Sequence, residues 1–317
     1  HRSLLDMVVS AHLFTSQDLP YPIFLAGDNL FREENEDKLK AWGGFKFERR
    51  TRRQELENMD NLMPYMMANL LYAQPLLFFD TGSGRSKTGG LDKVNGKLSE
   101  LFVKIARDHR IGFNLIYMGL AYSNTPEEDH LIRPDSSSSD SVKAAQEIDV
   151  AKAFLELPER LRGPSYVSLG KPIPIKEILG DISGKIESSG EETTLINLRK
   201  GLSRYSHRGI AQTVPVIDID VAYAALYLAL TGSSEQQSLS DLESPKLPVA
   251  RFRENYQTLL EKVHNNDELN THFLESSQES DFLGRLEEQG IVELPGRSIR
   301  ITEKGAAYTK YYARKLD

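Results

Sequence analysis

His1-Arg2-Ser3-Leu4-Leu5-Asp6, followed at once by Met7-Val8-Val9, sets an imidazole and a carboxylate five positions apart at the head of an apolar run. A carboxylate that accepts one imidazole N–H fixes the ring's tautomer, so the other nitrogen can take a proton from a hydroxyl. Spacing constrains the geometry. On a continuous helix, positions i and i+5 point roughly 140° apart. The pair can meet only if His1 precedes a helix and Asp6 stands in its first turn. The same residues admit a plainer reading: Ser3-x-x-Asp6 before an apolar run is a capping pattern, with Ser3 as N-cap. On either reading the stretch opens a helix. The alternation of helices and buried strands that follows it decides the fold class.

At 317 residues the chain can bury a large core and hold two or three domains. Apolar residues make up 39% and charged residues 27%, a balance that belongs to a soluble globular chain rather than a disordered one. The net charge of −7 argues against bulk binding of nucleic acid. With no cysteine, disulfides, thiolate metal sites and a Cys nucleophile are excluded. No uncharged apolar run reaches the length of a membrane span. Residues 61–79 carry no charge but contain Pro64, Asn69, Gln74 and Pro75, and read as an amphipathic helix feeding a short buried strand. Such a helix could also dock on a membrane surface. The chain opens on His1 without an initiator Met, so upstream sequence, and any targeting signal with it, is expected.

Apolar runs bounded by Gly, Pro and polar residues predict strands over 21–27, 45–47, 76–79, 113–119 and 166–172. Helices are expected over the acidic segment 32–40 and over 97–109, where Leu98, Leu101, Phe102 and Ile105 recur with helical spacing. Strands separated by helices point to an α/β domain with a mostly parallel sheet flanked by helices, ending near residue 185. The Ser-rich segment 136–139 reads as a surface loop. Residues 183–192 read as a linker, 195–205 and 216–230 as helices, and 233–248 as a second linker. Three helical stretches, a hairpin over 290–301 turning at Pro295-Gly296, and a last helix over 305–316 complete the chain. The predicted organisation is therefore an α/β domain over 1–185, a helical extension over 186–248 and a winged-helix-like α+β module over 249–317.

Two further stretches have the composition of an anion site. Five basic residues fall within the eight positions 46–53, behind Gly43-Gly44, and the strand pattern of Phe45 and Phe47 delivers Arg49 and Arg50 at its end. A solvated basic face would look the same. The loop Asp80-Thr81-Gly82-Ser83-Gly84-Arg85-Ser86-Lys87-Thr88-Gly89-Gly90 follows a buried strand. Its glycines let backbone N–H groups approach an anion, which Arg85 and Lys87 would neutralise. Its spacing is not that of a Walker loop, and a flexible turn shares its composition.

Taken together, these segments resemble the family of acyltransferases that acylate glycerol 3-phosphate or dihydroxyacetone phosphate. His1 to Asp6 matches its H-R-S-x-x-D block, and Leu19-Pro20-Tyr21-Pro22 through Ala26-Gly27 matches the segment after it. Gly44 to Arg50 matches G-x-F-F-I-R-R, Arg85-Ser86-Lys87-Thr88-Gly89 matches R-S-R-T-G, and Tyr166 to Pro172 matches Y-V-x-F-G-E-P. The resemblance covers roughly residues 1–180, more weakly to about 232, and lies in the order and spacing of the blocks.

The resemblance implies that His1 is the base that deprotonates the acceptor hydroxyl and Asp6 its orienting carboxylate. Arg50 and Arg85 would hold the acceptor's phosphate, with Arg49, Ser86 and Lys87 as lesser candidates. The co-substrate would be an acyl thioester of coenzyme A or acyl carrier protein; no metal or other cofactor is implied. The expected location is peripheral, on the cytoplasmic face of a membrane. Departures from the pattern stand beside these expectations. The glutamate three places before the Arg of the third block falls on Gly82, and only a longer loop would let Asp80 stand in for it. Lys46 and Glu48 replace a Phe and an apolar residue of the second block, and the fourth block lacks its usual proline. A lysophospholipid acceptor, or a catalytically lapsed protein that binds a partner, are the alternative readings. Residues 250–317 contain ten Lys/Arg against twelve Asp/Glu, so the winged-helix-like module is expected to contact protein rather than DNA.

Overall fold

The computed structural model describes residues 5–27, 36–41, 43–47, 52–78, 91, 93–94, 96–123, 163–231, 246–266, 269–271, 274 and 279–313. Within them the fold is mixed α and β and mostly helical, with one small parallel sheet and three small antiparallel ones. Helix α1 (Leu5–Ser16) leads into β1 (Ile23–Gly27), α2 (Glu36–Ala41) and β2 (Gly44–Phe47). Helix α3 (Arg52–Leu71) carries Pro64 and feeds β3 (Leu76–Leu77). The three strands form a parallel sheet in the order β2-β1-β3, Phe24 opposite both Gly44 and Leu77. The carboxyl ends of all three strands therefore lie along one edge of that sheet.

The expectation of a mostly parallel sheet holds only for these three strands. The run 113–119, read as one strand, is two: β4 (Asn114–Leu115) and β5 (Met118–Tyr122). Both pair antiparallel, β5 with β6 (Ser165–Leu169) and β4 with β7 (Ile173–Pro174). Periodicity marks which residues are strand, but chain direction is set by how distant segments return, which a local pattern does not encode.

The first core lies among α3, α4 (Gly96–Arg107), α5 (Ile175–Ser188) and α6 (Leu195–Thr213). Helix α4 buries Leu98, Leu101, Phe102 and Ile105, the face its spacing predicts. Helix α5 overrides the linker expected over 183–192 through residue 188. Ile178, Ile182 and Ile186 recur every four residues and face this core, and that stripe outweighs the polar composition between them. Thr194 caps α6 by accepting the Asn197 N–H at 3.2 Å. Glu100 on α4 reaches Lys104 at 2.8 Å and Arg199 of α6 at 3.4 Å; the hydrogen bond from Lys104 is the main reason its carboxyl sits below the usual carboxylate range.

The second core is built on α7 (Asp218–Thr231), which is apolar almost all round and packs against α8 (Val249–His264) and α10 (Glu303–Ala313). Its start is set by Asp220, whose carboxylate accepts the Ile217 N–H at 3.0 Å. Helix α9 (Glu279–Glu288) and the hairpin of β9 (Val292–Glu293) and β10 (Ser298–Ile301) complete the module, with β8 (Lys246–Pro248) on the other side of β10. The hairpin turns where expected: Gly296 has φ +70° after Pro295, as a type II turn requires. Two of the three helices expected before the hairpin, α8 and α9, lie among the described residues. Helices α6 and α7, read together as one extension over 186–248, pack into different cores.

The two cores meet at β5 and β6. Ala121 of β5 belongs to the second core. Asn270 donates from Nδ2 to Ser168 Oγ at 2.8 Å and to the Thr213 carbonyl at 2.9 Å, while its own carbonyl accepts the Val216 N–H. Gly119 makes the approach of α6 to β5 feasible, because a Cβ there would collide with the Thr213 carbonyl and Val214 Cα. Gly119→Ala is therefore expected to lower stability by about 1–3 kcal/mol, the usual cost of overpacking. Chemical denaturation of the variant checks this, and an unchanged midpoint would contradict the close approach.

Candidate functional site

Asp6 sits in the first turn of α1 and is buried, with 1% of its surface exposed. This is the position that the five-residue spacing demands if His1 precedes the helix. The carboxylate is held from a distance: Tyr122 at the end of β5 donates its hydroxyl to Asp6 Oδ1 at 2.7 Å, across 116 positions of sequence. Tyr122 is itself buried. Burying a carboxylate is costly unless donors meet it, and a phenol is a neutral donor that meets it without adding a second charge. The start of a helix adds a favourable field for a negative group. Ser10 donates back to the Asp6 carbonyl and secures the same turn.

Tyr122 lies beyond the strand that the run 113–119 predicts, which ends at Gly119. The apolar continuation Leu120-Ala121-Tyr122 was the available signal. Strand β5 is fixed by its ladder to β6, which sets Tyr122 opposite Ser165 and Met118 opposite Leu169.

His1, Arg49, Arg50, Asp80, Arg85, Ser86 and Lys87 lie outside the described residues. Among the described residues, β2 ends at Phe47 and β3 at Leu77, both at the carboxyl edge of the parallel sheet. Open α/β sheets bind ligands at that edge. Lys46, counted in the basic cluster, lies 3.7 Å from Glu36, whose carboxyl is held low chiefly by Lys40 at 2.7 Å. Lys46 is thus partly neutralised within the fold.

A small cavity at the edge of the second core is lined by Tyr166, Ile217, Phe282 and Arg285 among others, and includes none of the sequence-predicted site residues. Among the described residues no group of three or more His, Asp or Glu could hold a metal ion. Among them too, no helix is long and apolar enough to cross a membrane. No protein-family model matches the chain, and no curated protein matches it in sequence.

The geometry makes a stability prediction that does not depend on any activity. Asp6→Ala removes a charge-assisted hydrogen bond between buried partners and should cost about 1.5–3 kcal/mol. Asp6→Asn retains an acceptor oxygen for Tyr122 and should cost less. Urea unfolding of the two variants orders them, and the reverse order would contradict the contact.

Proposed function

We propose that the protein is an O-acyltransferase that moves a fatty acyl group from an acyl thioester to the hydroxyl of glycerol 3-phosphate, at a membrane surface. The observation that carries the reading is the buried carboxylate of Asp6 in the first turn of α1, at the place the H-R-S-x-x-D block assigns to the orienting acid. Support comes also from the order of the later blocks along the chain, and from the common sheet edge at which β2 and β3 end.

In this reading His1 takes the proton from the acceptor hydroxyl as the oxygen attacks the thioester carbonyl. Asp6 holds the imidazole and stabilises the imidazolium that forms. Collapse of the tetrahedral intermediate breaks the carbon–sulfur bond, and the departing thiolate takes the proton from His1 and leaves as the free thiol. Coenzyme A and acyl carrier protein present the same thioester, so either serves as donor. Arg50 and Arg85 pair with the acceptor's phosphate, Arg49, Ser86 and Lys87 assist, and Asp80 stands in for the acid of the third block. The reaction needs no metal or other cofactor. The module of residues 249–317 supplies a surface for a protein partner.

Thiol release from purified protein, acyl-CoA and glycerol 3-phosphate tests the reading. His1→Ala is expected to abolish release while the protein stays folded, and Asp6→Asn to reduce it by orders of magnitude, by analogy with the Asp of the serine-protease triad. Full turnover in a folded His1→Ala protein would overturn the assignment. Absence of release from the wild type, with either glycerol 3-phosphate or a lysophospholipid as acceptor, would favour a lapsed enzyme that keeps the fold.

The phosphate site has its own signature. Arg50→Ala and Arg85→Ala should each raise the acceptor's KM and leave that of the acyl donor unchanged, with some loss of kcat if the phosphate anchors the hydroxyl. Unchanged acceptor kinetics in both would place the phosphate elsewhere.

A further inference from the structure

The Tyr122–Asp6 contact has a consequence for the proposed reaction. Resting on the acyltransferase reading, we infer that Tyr122 is a positioning residue: it aims the Asp6 carboxylate, and through it the catalytic base, without touching either substrate. An aspartate in the first turn of a helix has two side-chain torsions free to turn its carboxylate. The Tyr122 hydroxyl at Oδ1, 2.7 Å away, restricts that freedom. A carboxylate accepts on both oxygens, so donation to Oδ1 leaves the group able to orient an imidazole as well.

The aim is only as good as the support of the donor. Tyr122 stands on a strand paired along its whole length, Met118 to Tyr122 against Leu169 to Ser165. Its neighbour Ala121 is 1% exposed within the second core. The ring is thus carried by a rigid element rather than a loop, which is what a precise constellation needs. The bond also joins two segments that nothing in the local sequence brings together, so its position is owed to the fold and not to the H-R-S-x-x-D block.

The test is a kinetic cycle in the full chain, with acyl-CoA and glycerol 3-phosphate as substrates and thiol release as the readout. Tyr122→Phe keeps the ring and removes the donor. It should lower kcat by about 10- to 100-fold, the range open to one charge-assisted hydrogen bond, and leave both KM values unchanged. In an Asp6→Asn background the same substitution should cost nothing further, because the group it aims is no longer a carboxylate. Wild-type kcat in Tyr122→Phe, a raised KM, or an equal loss in the Asp6→Asn background would overturn the role. If Tyr122→Phe does not fold, 3-fluorotyrosine at position 122 keeps the ring and hydroxyl and alters only the donor's acidity. A changed kcat at constant KM then supports the role, and an unchanged kcat overturns it. An inactive wild type would overturn the acyltransferase reading and this role together, whereas an active wild type with an indifferent Tyr122 overturns this role alone.

Discussion

Strand β5 is held on both faces, and the arrangement of the described residues depends on it. Successive side chains of a strand point to opposite sides. Gly119 and Ala121 therefore share one face, where Gly119 meets the end of α6 and Ala121 enters the second core. Tyr122 points the other way and reaches Asp6. A slip of one residue against β6 would exchange the two faces, setting Met118 or Leu120 into the contact that only a glycine fits. The register of one short antiparallel pair thus controls both the docking of the C-terminal module and the support of the buried carboxylate.

The two cores are less independent than their positions in the chain imply. Helices α6 and α7 are consecutive but belong to different cores, and the chain crosses between them at Val214 and Pro215. Asn270 ties that crossing to β6 through three hydrogen bonds, one to a side chain and two to backbone groups. The clasp is half-buried, and its backbone partners at Thr213 and Val216 belong to buried residues, so losing Asn270 would leave those groups in need of another partner. Because the clasp grips β6, the partner of β5, the second core and the Asp6 carboxylate bear on the same pair of strands.

The chemistry proposed for Asp6 follows from what a buried carboxylate tolerates. Water cannot solvate it at 1% exposure, so its charge must be met by donors and by the field at the start of α1. A phenol supplies one such donor without bringing a full positive charge of its own. A carboxylate has two oxygens, so accepting the phenol at one is compatible with the proposed orienting of an imidazole. The parallel sheet adds a separate constraint, since the carboxyl ends of β1, β2 and β3 share one edge.

Local pattern in the sequence determined where most elements lie. The spacing of Leu98, Leu101, Phe102 and Ile105 located α4, the uniform apolar run located α7 as a buried helix, and Pro295-Gly296 located the hairpin turn, because each depends only on near neighbours. The place of Asp6 in the first turn of a helix was legible for the same reason. Direction and partnership were not. That β5 and β6 run antiparallel, that the stretch 183–188 is helix because Ile182 and Ile186 face a core, and that α6 and α7 part company were decided by packing between segments far apart in the chain. Tyr122 belongs with these: the apolar residues before it mark it as strand, but only the ladder to β6 and the first turn of α1 bring its hydroxyl to a carboxylate 116 positions away.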